Sequence, residues 1–347
     1  MDKNFIISFA DLMSITGYES YDEKELEKLV EGIFDESFKD KLGNRFFIKK
    51  CGRENAPKIL IDAHMDEIGM IVTDIKEGGF LTVTNVGGVD TRILQASDVV
   101  IYGKEKIFGV VGSTPPHLQK PEDAKKLKPI GELLIDTGYS KEKLEALVSI
   151  GTPVGFNRKY AILADDRIAG KGFDDKACAA CAVDGIKNAP REELAGDVIL
   201  MLSSREETGA VGGASVGAYA IDPDYALVID VNLGRTPDTP KNETVELGKG
   251  VSLTYCPVTN KKLTRMTAEL ADKKEIKWQI SVSGGGTGTN TPDINLTREG
   301  IPCVDVGLPL KSMHTCAELL DMNDAQAASD LIREFICSKE IAEVFAR

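Results

Sequence analysis

Ser203-Ser204-Arg205-Glu206-Glu207-Thr208-Gly209 sets two carboxylates side by side, directly after the apolar run Val198-Ile199-Leu200-Met201-Leu202. An apolar run that ends in a turn reads as a buried, parallel-type strand. In open α/β sheets ligand chemistry collects at the carboxyl ends of such strands. Two like charges placed there repel unless a cation or a proton lies between them. A two-metal site with a general base beside it would remove that repulsion. A solvated Glu-Glu pair in a loop is the plain reading of these two residues alone, so the rest of the chain has to decide.

Four further places carry residues of the same chemistry. Lys58-Ile59-Leu60-Ile61-Asp62-Ala63 ends in His64-Met65-Asp66, and a spacing of two on an extended backbone points both side chains the same way. Asp66 is then placed to accept from the imidazole and fix its tautomer, as carboxylates behind metal-bound histidines do. Asp174-Asp175 opens the helical stretch Ala177 to Asn188. This pair reads either as an N-cap with an anionic first turn or as a carboxylate that bridges two ions. Tyr225 to Ile229 is a second buried run, and it ends in Asp230. His314, one of 3 histidines, follows the strand Ile301 to Leu308. His117, after Pro115-Pro116, has no such setting.

Gathered at one sheet edge, His64, Asp174, Glu207, Asp230 and His314 form a mixed N/O donor set suited to zinc or cobalt, with manganese as a further option. No Cys sits at these positions, which speaks against a closed structural zinc site. Five protein ligands over two ions leave positions open for water and substrate. Glu206, beside a ligand but not itself one, has the place of the general base. Cys178 and Cys181 make a C-x-x-C, but their neighbours are apolar and small and no second pair follows. They read as a packed helix face.

These residues need a scaffold. Residues 4–36 read as two helices, and Arg45 to Lys50 as a strand. From Gly69 to Tyr160 short apolar or alternating runs are separated by Gly-rich turns such as Gly78-Gly79 and Gly87-Gly88. That is the pattern of a small all-β barrel or sandwich. The expected class is therefore α/β, a mixed and mostly parallel sheet between helices, interrupted by an inserted β-barrel. Residues 1–68 and 161–347 would form one discontinuous catalytic domain, and 69–160 the insert. Leu118 to Lys128 reads as an exposed, mobile loop. Ile276, Trp278, Ile280 and Val282 alternate with polar residues as in a half-buried strand. A Gly-rich loop, Ser283 to Asn290, follows and lacks the G-K-[ST] of a phosphate loop. One helix is expected from about Asn323 to Ala346, with Ala325, Ala328, Leu331, Ile332 and Phe335 on its apolar face.

Composition narrows the function classes. The chain has 347 residues, 42% hydrophobic and 28% charged, with a net charge of -13. Such acidity argues against nucleic acid or an anionic membrane as partner. No apolar run reaches the roughly 18 residues of a membrane span, and Met1-Asp2-Lys3-Asn4-Phe5 does not read as a secretory signal. The 7 cysteines, an odd number in apolar segments, fit reduced thiols in the cytoplasm.

Taken together, H-x-D at 64–66, D-D-K at 174–176, E-E-x-G at 206–209, D-V at 230–231 and S-M-H-T at 312–315 resemble the tetrahedral aminopeptidases, a family also called glutamyl aminopeptidases or cellulase M. The resemblance spans essentially the whole chain, insert included. It implies a zinc-exopeptidase-like fold and a cocatalytic two-metal peptidase. One ion would be held by His64, Asp174 and Asp230, the other by Asp174, Glu207 and His314, with Asp174 bridging. Glu206 would be the base, Asp66 would orient His64, and the Asp174–Asp175 peptide would be cis. A homo-oligomer is implied as well, dimers joined through the β insert and assembled into a dodecamer. This sequence departs from the family at Val231 to Arg235, where a Thr-containing run is usual. It departs again at Gly288 in place of an Asp, and at Ala177-Cys178.

The expected activity is metal-dependent release of N-terminal residues from peptides, through a water shared by the two ions and activated by Glu206. A related deacylase or carboxypeptidase is the alternative, and it would need Arg235 or Lys311 to hold a substrate carboxylate. A catalytically degenerate, peptide-binding homologue is a third reading, drawn from the departures. A glycosidase fits less well, because the acids here are committed to metal.

Overall fold

The computed structural model describes residues 1–118, 126–209 and 212–346. Most of the loop expected at 118–128 therefore lies outside the described residues. The chain starts with α1 (Lys3–Asp11), capped by the Asp2 carboxylate, and α2 (Glu23–Leu29). The strands β1 (Glu36–Lys39), β2 (Arg45–Lys49) and β3 (Lys58–His64) follow.

Residues 69–156 then leave the main sheet. They form β4 (Gly69–Lys76), β5 (Phe80–Val86), the short α3 (Thr91–Leu94), β6 (Asp98–Tyr102), β7 (Lys106–Val111), β8 (Ile135–Asp136), α4 (Lys141–Leu147) and β9 (Pro153–Phe156). The six strands close into a barrel in the order β4-β5-β8-β7-β6-β9. Strict alternation builds it: along β7, Ile107, Gly109 and Val111 turn inward while Lys106, Phe108 and Val110 turn out. Met70, Leu81, Val99, Ile101, Ile135 and Val154 fill an interior separate from the cores of the main sheet.

The main sheet resumes with β10 (Ala161–Ile162), β11 (Arg167–Gly170), α5 (Phe173–Asn188), β12 (Asp197–Ser203), α6 (Gly213–Ile221) and β13 (Tyr225–Leu233). It is completed by β14 (Val251–Tyr255), α7 (Lys261–Lys273), β15 (Trp278–Val282), α8 (Thr291–Asn295), β16 (Cys303–Lys311), β17 (Glu318–Asp321), α9 (Met322–Cys337) and α10 (Lys339–Phe345). The strand order is β1-β2-β12-β3-β13-β16-β17-β11-β10, with β14 and β15 branching from β16. The centre, β12-β3-β13-β16, is parallel. The margins pair antiparallel, so the parallel character expected for the sheet is concentrated where the site lies.

Both faces of that centre are covered, which is why its strands read as unbroken apolar runs. One face packs on α1, α5 and α9, the other on α6 and α8. Helix α5 is buried almost all round, because its run of Ala and Cys brings its backbone close to its neighbours. At Gly185 a Cβ would lie 2.6 Å from the carbonyl of Ser329 in α9. Cys178 and Cys181 are buried free thiols in this packing surface.

Two expectations need correction. The single C-terminal helix is two, because Ser338 takes an extended conformation between α9 and α10 and its hydroxyl caps Ile341. The apolar alternation of β15 is not a buried face: Ile280 is 64% and Val282 69% exposed. No helix among the described residues is long and apolar enough to cross a membrane.

The N-terminal segment is tied to the base of α5 by buried charge. Lys171 and Lys176 lie 3.2 and 3.1 Å from Glu67. Their ammonium groups also donate to the carbonyls of Ala10 and Leu12. Burial pushes the Glu67 carboxyl up, but the two ammoniums outweigh it and hold it low. Burial pushes Lys176 down to about 8. Glu67→Gln would leave two buried ammoniums without a counter-charge. We expect a loss of about 3–5 kcal/mol in urea unfolding; an unchanged midpoint would show that the cluster is not holding this junction.

Candidate metal centre

Strand ends deliver the side chains. His64 is the last residue of β3, and parallel register sets it opposite Ser203, the last residue of β12. Beyond Ser203, Arg205 turns the chain with a left-handed φ of 67° into a short 3₁₀ turn, Glu206–Thr208. Asp230 lies within β13, which runs on to Leu233 rather than ending at the acid. After β16, Ser312 and His314 take positive φ of 57° and 60° and fold the loop back over the sheet. The Asp174–Asp175 peptide at the start of α5 is cis.

These residues meet. Asp174 Oδ1 lies 3.1 Å from His64 Nε2, and Asp174 Oδ2 lies 3.2 Å from His314 Nε2. His314 Nε2 is 3.3 Å from Glu207 Oε2. His64 Nε2 is 3.8 Å from Asp230 Oδ1 and 3.9 Å from Glu206 Oε2. Two overlapping triplets have their donor atoms within 4.8 Å of one another, His64–Asp175–Asp230 and His64–Asp174–Glu207. All five residues read as ligands, and Glu206, are thus brought together. Asp175, which the sequence reading left as the neighbour of a ligand, also belongs to the cluster. Its Oδ2 accepts from the backbone N–H of His64 at 3.1 Å.

The supports differ from expectation in one respect. The Nδ1 of His64 lies 2.9 Å from the backbone carbonyl of Asp66, and the Asp66 carboxylate stands farther off at 3.6 Å. Strand alternation does not carry past His64, where β3 ends, so the carboxylate is free to turn elsewhere. It accepts from the backbone N–H groups of Glu206 and Glu207, at 3.0 and 3.1 Å, and from the Thr16 hydroxyl at 2.7 Å. Asp66 therefore orients the histidine with its carbonyl and holds the glutamate pair with its carboxylate.

Glu318, which sequence reasoning passed over, does similar work on the other side. Its carboxylate accepts from the N–H groups of Phe173 and Asp174 and from that of His314. Only an acid at a strand start marked it in the sequence. Asn290 closes the far end of the Gly-rich loop, donating to Asp62 and Ser203 at 3.0 and 2.9 Å.

Charge in this corner is unbalanced. Burial pushes Asp175, Asp230 and Glu318 well above the ordinary carboxyl range, and Glu207 up to about 8. Asp174 stays low despite burial, because His314 and His64 both bond to it. His314 is raised to about 9, chiefly by Asp174. Among the described residues, the ion pairs of Asp174, Glu207 and Asp230 are all to histidine. A buried excess of carboxylates around two imidazoles, with no lysine or arginine paired to them, is the donor set that divalent cations satisfy.

The cluster opens into a cavity of about 430 Å³ lined also by Gly288 and Met313. Val231, Asn232, Leu233 and Thr287 form a wall shared with a second chamber of about 540 Å³, into which Ile280 and Val282 face. Gly288 has a φ of 75° and open space around it. Arg235 is engaged by Glu246 and by the carbonyls of Lys241 and Thr244.

The family model of M42 glutamyl aminopeptidases matches residues 43–331. The chain is 31% identical to the lysyl aminopeptidase of Pyrococcus furiosus over 93% of each chain. Its structure resembles that of a TET aminopeptidase from a marine sediment archaeon, Thaumarchaeota archaeon SCGC AB-539-E09. The TM-score is 0.91 at 29% identity, covering 99% of this chain and 98% of that one. The TET1 peptidase of Pyrococcus horikoshii, which can assemble into a tetrahedron or a large octahedral shell, matches with a TM-score of 0.84. There the identity is 30%, over 96% of this chain and 98% of that one.

Asp66→Asn would leave one of the two glutamate N–H groups facing a donor instead of an acceptor. We expect affinity for cobalt or zinc, measured by equilibrium dialysis, to fall about 10–100-fold. Unchanged affinity would mean that the glutamate turn holds itself.

Proposed function

The chain belongs to the M42 glutamyl aminopeptidase family, and on that premise we propose how this metal-dependent aminopeptidase removes N-terminal residues from peptides. His64, Asp174 and Asp230 would hold one divalent ion, with Asp175 in reach of the same position. Asp174, Glu207 and His314 would hold the other. The observation that carries the reading is Asp174, whose two oxygens face the two histidines at 3.1 and 3.2 Å. Zinc or cobalt, with manganese as a further option, would supply a Lewis acid for the scissile carbonyl and lower the pKa of water.

The chain's own groups do the rest. The Glu206 carboxylate lines the cavity beside the donors, 3.9 Å from His64 Nε2. It is the general base, taking a proton from the attacking water and returning it to the amine of the departing peptide. Asp66 keeps Glu206 and Glu207 at their stations through the peptide N–H groups. The acidic cavity favours the ammonium of a free N-terminus and disfavours a substrate carboxylate. Arg235 is engaged by Glu246 and two carbonyls, and Lys311 is not among the residues lining either cavity, which together weigh against the carboxypeptidase or deacylase alternative. The adjoining chamber would take the side chain of the residue being released.

We read residues 1–68 and 161–347 as the catalytic domain and 69–160 as an inserted dimerisation and lid domain. The separate core of the barrel supports that division. The tetrahedral and octahedral shells of the Pyrococcus horikoshii relative support a self-compartmentalised homo-oligomer, which we take to be a dodecamer assembled from dimers. Seven free cysteines favour a reducing, cytoplasmic setting.

Glu206→Gln tests the base. On a panel of aminoacyl-p-nitroanilides we expect kcat to fall about 10²–10⁴-fold with metal content unchanged. Full activity at normal metal content would refute the assignment. N-acetylated versions of the same substrates should resist cleavage; their hydrolysis would favour the deacylase.

A further inference from the structure

We propose that the Gly87–Gly88 turn of the barrel is the seat of His314, so that the inserted barrel completes the outer half of the metal centre. The inference rests on the two-metal reading given above. The turn follows β5 and is pinned at the Gly87 carbonyl, which accepts from the Asn85 side chain at 2.8 Å and from the Val89 N–H at 3.1 Å. Gly87 itself has a φ of 72°, a conformation that favours glycine.

The close approach is what matters. A Cβ on Gly88 would lie 2.8 Å from His314 Nδ1 and 3.4 Å from its Cε1. A Cβ on Gly87 would lie 2.8 Å from Ile68 Cγ2 and 3.3 Å from the backbone oxygen of Glu207. The bare backbone of the turn therefore lies against both residues that, with Asp174, make the outer group of donors. On the opposite side of the ring His314 Nε2 faces Asp174 and Glu207 at 3.2 and 3.3 Å. The imidazole is held between a backbone and two carboxylates, and a side chain on the turn would push it off its line.

A second contact agrees. Cys316, two residues after His314, packs against the barrel interior together with Val89. The loop carrying His314 thus rests on the barrel. His64 has no such dependence. It is 2% exposed at the end of a central strand and is oriented by the Asp66 carbonyl. The His314 side chain is 39% exposed. Gly88 is a positioning residue that acts through His314.

The test is cobalt stoichiometry and affinity, measured by equilibrium dialysis on the full chain. Gly88→Ala should take up one ion where wild type takes two, with the remaining ion bound as in wild type. Gly131→Ala, in the same insert but with open space around its Cβ, should match wild type. Asn85→Ala loosens the turn without adding atoms, so it keeps the test open if Gly88→Ala folds poorly; it should weaken only the second ion, about 10-fold or more. In a His314→Ala background, Gly88→Ala should cause no further loss. Two ions in both wild type and Gly88→Ala, or an added loss in the His314→Ala background, would overturn the proposal. A single ion in wild type would overturn the two-metal reading and this proposal with it.

Discussion

Repulsion among buried carboxylates is the constraint on which this structure depends. Asp174, Asp175, Glu207 and Asp230, all with side chains nearly shut off from water, crowd around His64 and His314 at the floor of the cavity. Like charges so placed are costly unless something positive lies among them. The histidines answer part of that cost through Asp174, while burial first and the neighbouring carboxylates after it push Asp175, Asp230 and Glu207 up. A fold that keeps such a corner must hold it from outside. It does so with backbone N–H groups: Asp66 grips the glutamate turn, and Glu318 grips the start of α5 and the His314 loop.

The architecture explains why the donors converge. Four parallel strands end on the same side of the sheet, so loops distant in sequence emerge together. Helix α5 reaches the same edge because its small residues let it lie close to the sheet and to α9. A separate buried charge cluster, Glu67 with Lys171 and Lys176, fastens the N-terminal segment to the start of α5. Chemistry and stability are thus separated in space by a few residues. Asp174, Glu207 and Asp230 pair only with histidines among the described residues, while Glu67 already has its two ammoniums.

Much of this was legible in the sequence, and the reasons are physical. Buried parallel strands announce themselves as apolar runs, so the acids and histidines at their ends could be placed on one edge before any coordinates. The barrel was legible from its turns and alternation. What could not be read depended on contacts between segments far apart. Glu318 is an ordinary strand-start acid until Phe173, Asp174 and His314 are brought to it. Asp66 looked like the partner of an imidazole, because alternation was carried two residues past the end of β3; its carbonyl has that part. Ile280 and Val282 alternate like a buried face, yet they line an open chamber. Ser338 breaks a helix whose apolar periodicity runs straight through it. The seat that Gly88 offers His314 has no local signature at all.

The most direct test of the account is a titration of metal-free enzyme with cobalt, reading release from an aminoacyl-p-nitroanilide against ions bound per chain. If Asp174 bridges two ions between His64 and His314, activity should be absent in the stripped protein and reach its full value only as the second equivalent binds. Full activity at one equivalent, or turnover by protein shown to be free of metal, would contradict it.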